Sequence, residues 1–97
     1  MPKGYWIVRI EITDQAGYDA YRNDNAEAFA KYDGRFLVRG GQYEALEGGA
    51  RSRNVVIEFP SYEQAVACWK SPEYQRAKAR REGSVEIDLM AIEGYEG

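Results

Sequence analysis

The side chains in this chain best suited to chemistry are charged groups on strand-like sequence. Arg39 stands before Gly40-Gly41, where a guanidinium flanked by glycine amides suits a carboxylate or phosphate group. The same three residues also suit a glycine bulge whose arginine pairs with Glu58. Glu58 and Asp88 form a candidate carboxylate pair, one raised in pKa by its neighbour and by burial, fit for general acid or base work. Their other role is salt bridging to Arg9 and Arg39, which keeps both ionised. Tyr5 alternates with Arg9 on the same strand face and joins Arg9, Arg39, Glu58 and Asp88 as a candidate ligand contact. Tyr18, Tyr21, Tyr32 and Tyr74 offer phenols to an aromatic ligand, and their helical spacing equally suits core packing.

The chain has no histidine, which removes the commonest base near neutral pH and the usual axial haem ligand. Chemistry therefore falls to carboxylates, tyrosines, arginines, lysines or bound water. Cys68 stands alone, so neither an intrachain disulfide nor a cysteine-built zinc site is available. It lies beside an apolar stripe with no activating histidine, as a packing thiol does. No spacing typical of a metal site occurs, and no motif implies a cofactor. The net charge of −3 argues against a phosphate backbone as partner, so no nucleic acid is expected. Arg76, Lys78, Arg80 and Arg81 make only a weak basic patch, spread around a helix end where positive charge suits the dipole. No apolar run suggests a secretory signal or a membrane span, and a cytoplasmic location is expected.

At 97 residues, with 44% apolar and 30% charged, the chain has material for one domain, expected over 1–97. Gly4 to Ile12 alternates as a strand, with Trp6, Val8, Ile10 and Ile12 on a core face. Asp14 caps a helix predicted to run to about Tyr32, closed by Asp33-Gly34. A second strand carries Phe36 and Val38 on one face and Arg35, Leu37 and Arg39 on the other. It bulges at Gly40-Gly41, continues extended through Gln42 to Glu47, and turns by a short loop into Ser52 to Phe59. Ser61 and Gln64 fit a capping box for a helix that buries Tyr62, Ala65, Val66 and Trp69 and breaks at Ser71-Pro72. Its continuation to about Glu82 turns Tyr74 and Ala77 inward, and Ser84 to Glu93 is the last strand. The order β-α-β-β-α-β is the ferredoxin-like α+β plan, with both helices on one face of a four-stranded antiparallel sheet.

Taken together, Gly4-Tyr5-Trp6, Asp14 with Tyr18 and Tyr21, the run Arg35 to Gly41 with Gly40, Glu47-Gly48, Glu58-Phe59-Pro60-Ser61, and Ser71-Pro72-Glu73-Tyr74 with Arg81 resemble the DUF1330 family of the dimeric α/β-barrel superfamily. The resemblance spans nearly the whole chain. It implies a ferredoxin-like protomer whose sheet packs on that of a second copy. Relatives in the wider superfamily include monooxygenases, haem-using enzymes, lactone isomerases and ligand-binding modules, so fold alone selects no activity.

The sheet face left bare by the helices agrees with that implication. Tyr5, Ile7, Leu37, Val56, Met90 and Ile92 are too apolar for water, and the charges among them are too many for a simple core. A homodimer is expected, burying the apolar part and leaving the charges paired or lining a cavity. Three functions follow. The first is binding of a small anionic or aromatic molecule in a cavity on the dimer-facing side of the sheet, with scope for cofactor-free catalysis. The second is a structural or interaction dimer without ligand. The third, monooxygenase-like chemistry, rests on the superfamily.

Overall fold

The computed structural model describes residues 2–96. Strands β1 (Gly4–Ile12), β2 (Arg35–Arg39), β3 (Arg53–Phe59) and β4 (Val85–Glu93) form one antiparallel sheet in the order β2-β3-β1-β4. Helices α1 (Gln15–Asp24), α2 (Ala26–Lys31), α3 (Tyr62–Lys70) and α4 (Pro72–Ala79) cover one side of it. This is the ferredoxin-like α+β plan read from the sequence.

Register sorts the side chains into rows. On the helix side, Phe36, Ile57, Trp6 and Ala91 make one row, and Val55, Val8 and Leu89 contribute to the next. Trp6 is the centre of the core, fully buried, with Phe29 at 5.4 Å and Tyr74 at 4.9 Å between ring centroids, both edge-on. Edge-on pairs of this kind add roughly 0.5–1.5 kcal/mol each beyond the area they bury. The indole Nε1 donates to the carbonyl of Ala65 at 2.8 Å, so its one polar atom is satisfied.

The first helix is kinked. Asp14 caps it, accepting from the Ala16 amide at 3.2 Å, as its side chain predicts. Bonds from Asn25 N to Tyr21 O and from Phe29 N to Asn25 O carry the ladder through the bend between α1 and α2. Asn25 is buried there beside the Tyr21 phenol, where its amide favours the ionised form of that phenol slightly. At the end of α2 the left-handed position is taken by Asp33, at φ 58, and not by Gly34. Gly34 is small for another reason, because a Cβ there would press on the Phe59 ring.

Three expectations about β2 and its loop are corrected. The bulge lies between Phe36 and Val38, and not at Gly40-Gly41. It shifts the alternation, so Val38 pairs with Val56 on the open face and is 43% exposed, whereas Arg39 pairs with Val55 on the helix side. Residues 40–52 form a long irregular connection, neither an extended continuation nor a short loop.

Helix α3 also departs from its reading. Ser61 caps it by accepting from the Gln64 amide at 3.1 Å, but the Gln64 side chain donates to Tyr32 O, so the reciprocal half of the box is not made. Its buried line is Ala65 and Cys68, with Tyr62 exposed and Trp69 at the rim. Ser71 closes α3 and opens α4 with one hydroxyl, donating to Cys68 O at 2.7 Å and accepting from the Tyr74 amide at 3.1 Å. Helix α4 stops at Ala79, short of Glu82, and turns through Gly83 at φ 75 into β4.

Candidate functional site

On the open side of the sheet the rows read Arg35, Glu58, Tyr5 and Ile92, then Val38, Val56, Ile7 and Met90, then Asn54, Arg9 and Asp88, then Glu11 and Glu86. An apolar row is thus flanked by charge. Glu58 pairs with Arg35 at 3.2 Å and accepts from the Tyr5 phenol at 3.4 Å. Asp88 is bound by Arg51 Nε at 3.0 Å, and the same guanidinium reaches Glu86 at 3.6 Å. Arg9 donates to the Gly49 carbonyl at 2.7 Å, and Ser52 donates to Glu11 at 2.8 Å. The chain from Gly49 to Ser52 therefore crosses the charged end of the sheet and occupies its charges.

These contacts separate the candidate residues. Glu58 and Asp88 lie on different rows, each with its own arginine, and neither arginine is Arg9 or Arg39. Arg39 has left that face altogether through the bulge, and its Cζ sits 4.3 Å from the centre of the Phe36 ring. A shallow cleft of about 420 Å³, lined by Ile7, Arg9, Asp88 and Met90, remains on the open side.

The helix side holds a more closed arrangement. Tyr18, Tyr21 and Tyr74 are core residues, whereas Tyr32 is only half-buried. The Tyr21 and Tyr74 phenols share a hydrogen bond of 2.8 Å. Arg81 Nη2 donates to Tyr74 at 3.3 Å, and its Cζ lies 5.1 Å from the centre of the Tyr21 ring. Burial, and then Tyr74, push the Tyr21 phenol well above its ordinary range. Burial opposes the Arg81 charge, but Tyr74 and Tyr21 outweigh it and hold its pKa above the usual arginine value. Arg81 is only 7% exposed, so it is no part of a surface basic patch. Its Nε is buried without a partner.

Beside Arg81 lies a cleft of about 360 Å³. Val66 and Trp69 of α3 form one wall, Lys78 and Arg81 another, and Ile87, Leu89 and Ala91 of β4 a third, with Trp6 contributing from the core. It exists because β4 is an edge strand whose inward side chains stay only partly buried under the short helices. Its size is that of small-ligand sites, and an apolar lining with one or two fixed charges is their usual chemistry. The signal for Arg81 was present in the spacing: Tyr74, Ala77 and Arg81 fall at i, i+3 and i+7, so the arginine continues a buried stripe. Trp69 was expected inside the buried stripe of its helix and stands at the cleft instead, 37% exposed, and Lys78 carried no such mark.

The other motif residues are structural or exposed. Asp14 and Ser71 are caps, and Glu47 and Gly41 are exposed on the 40–52 connection. Gly40, at φ 70, has a different role, since a Cβ there would run into the guanidinium of Arg53. Burial pushes the Cys68 thiol up to about 12, which makes it inert. Among the described residues, no group of three or more His, Cys, Asp or Glu side chains is placed to hold a metal ion, and no helix is long and apolar enough to cross a membrane.

The family model described as a domain of unknown function, DUF1330, matches residues 3–95. Solved structures share the fold at low identity. A protein of unknown function from Rhodopseudomonas palustris has a TM-score of 0.79 at 17% identity, over 99% of this chain and 85% of its own. A cofactor-independent oxygenase from Streptomyces nogalater has a TM-score of 0.63 at 10% identity, over 100% of this chain and 97% of its own. A dimeric protein of unknown function and ferredoxin-like fold from Bacteroides fragilis has a TM-score of 0.55 at 16% identity, over 94% and 95%. No curated protein matches the chain.

Proposed function

We propose that this chain, which belongs to the DUF1330 family, binds a small, largely apolar molecule with one acidic oxygen in the cleft between α3, α4 and β4. The observation that carries this reading is Arg81: a guanidinium 7% exposed, stacked on one tyrosine and bonded to a second, with an unpartnered Nε, at the wall of an otherwise apolar cleft. A buried cation without a carboxylate is costly unless a ligand supplies the negative charge. Lys78 adds a second cation at the same wall, and Trp69 offers a flat face to an aromatic ring. The open-side charges, already bound by Arg35, Arg51 and Gly49, have less left to offer a ligand.

The protein works as a homodimer assembled through the open face, in this proposal. Leu37, Val38, Met90 and Ile92 are between 43% and 54% exposed in the protomer, and the apolar row that Val38 and Met90 end calls for cover. The dimeric neighbour from Bacteroides fragilis supports it.

A thermal-shift panel of aromatic carboxylates, phenols and alkyl acids tests the site, because a ligand that binds only the native state raises its apparent stability. One class is expected to give a saturable shift in the wild type that Ala91→Phe, which fills the cleft, abolishes. No shift from any class, or an equal shift in the filled variant, would overturn the proposal.

A second reading is favoured by the same guanidinium. An electron-rich phenol or enol in this cleft would have its anion stabilised by Arg81, and such an anion reacts with dioxygen without a resident cofactor. The Streptomyces nogalater oxygenase gives this reading its precedent in the fold. Oxygen consumption with polycyclic phenols, lost in Arg81→Lys, would support it, and substrate binding without oxygen uptake would leave binding alone.

A further inference from the structure

We infer that a second anion site lies at the far end of the helix side, built by Arg22, Arg39 and Arg53, and that it takes a small multiply charged oxyanion of the phosphate class. The three come from different elements. Arg22 belongs to α1, Arg39 ends β2 and Arg53 begins β3. The bulge in β2 turns Arg39 to the helix side, and pairing with Ile10 places Arg53 on that side too. All three line one small pit. The Cζ atoms of Arg22 and Arg53 lie 5.9 and 5.7 Å from the centre of the Tyr18 ring, and that of Arg39 lies 4.3 Å from the Phe36 ring. Arg22 and Arg39 also line a wider polar recess of about 400 Å³ with Asp19 and Asn23.

The charge at this place is unbalanced. Arg35, Arg51, Arg76 and Arg80 each reach a carboxylate within 4 Å, but among the described residues Arg22, Arg39 and Arg53 form no ion pair. Asp19, the one acid on the recess, accepts from Gln15 at 2.9 Å instead. The chain as a whole carries more acidic than basic residues, so convergence of three unpaired cations is not a consequence of composition. Mutual repulsion works against the arrangement unless an anion joins it. Arg53 Nε is buried without a partner, a donor left over for such a group. Gly40 suits the arrangement, since it takes the left-handed position at φ 70 and a Cβ there would make the Arg53 guanidinium shift from its place. Guanidinium groups bind phosphate through paired parallel hydrogen bonds, and several around one site suit a dianion better than a single carboxylate.

Titration of the intact protein with inorganic phosphate, pyrophosphate and citrate at constant ionic strength tests this, with thermal shift and calorimetry as readouts. Saturable binding of phosphate or pyrophosphate is expected, weakened at least about tenfold in Arg39→Gln and in Arg53→Gln, with Arg76→Gln unchanged as a surface control. The wild-type titration stands by itself if a variant fails to fold: absence of saturable binding would overturn the site. Equal binding by the two variants and the control would overturn it too, and preference for citrate would overturn the phosphate class. The cleft beside Arg81 is separate, so Ala91→Phe leaves this binding intact.

Discussion

Removing the hydroxyl of Tyr74 probes the most closed polar feature of the molecule. Tyr74→Phe keeps the ring, and with it the edge-on contact to Trp6 at 4.9 Å, so no cavity the size of a side chain forms. What is lost is the 2.8 Å bond to Tyr21 and the 3.3 Å bond from Arg81. Tyr21 keeps Asn25 as a polar neighbour, but Arg81 is left with less to satisfy a buried charge. Leaving a buried group unsatisfied costs about 1–3 kcal/mol, with charged groups at the upper end, so a loss of about 2 kcal/mol is expected. For a domain of this size that lowers Tm by roughly 10 °C. Urea unfolding at fixed protein concentration measures it, and Tyr21→Phe with the double variant closes the cycle. The double variant should cost about 1 kcal/mol less than the sum of the singles, because both remove the same bond. A loss below about 0.5 kcal/mol, the range of ordinary surface changes, or strict additivity would refute the coupled buried network.

Other expectations test separate parts of the structure. Gly4→Ala places a Cβ against the backbone of Ser61 and Tyr62, which cannot rotate away, and should destabilise by about 1–3 kcal/mol in the same assay. Cys68 should resist alkylation in the native protein and react only at the rate of unfolding, which mass spectrometry of timed samples would show. Both Cys68 and Tyr21 have folded pKa values above their ordinary 9.0 and 10.0, so each keeps its proton in the fold where the unfolded chain loses it. Their contribution to stability is intact below pH 9.0 and falls as pH rises past those values, which a series of urea midpoints would follow. Met90→Lys puts a charge on the apolar row of the open face and should shift sedimentation from dimer toward protomer without loss of the far-ultraviolet spectrum.

Much of this molecule is local, and the local part was legible in the residues alone. Alternation in β1, β3 and β4, the caps Asp14 and Ser61, and the break at Ser71-Pro72 follow from the chemistry of neighbouring positions, and together they give the ferredoxin-like order. Partners across the fold were not legible. One bulge at Leu37 moved Arg39 from the open side to the helix side, and the path of Gly49 to Ser52 delivered Arg51 to Asp88 where Arg9 had been expected. Arg81 carried the spacing of a buried stripe, yet its place beside Tyr74, Lys78 and β4 came only with packing. The reason is physical. Side-chain periodicity records which face a residue occupies relative to its neighbours in sequence, whereas a charge finds its partner by register and loop path, and a slip of one residue exchanges every contact on a strand.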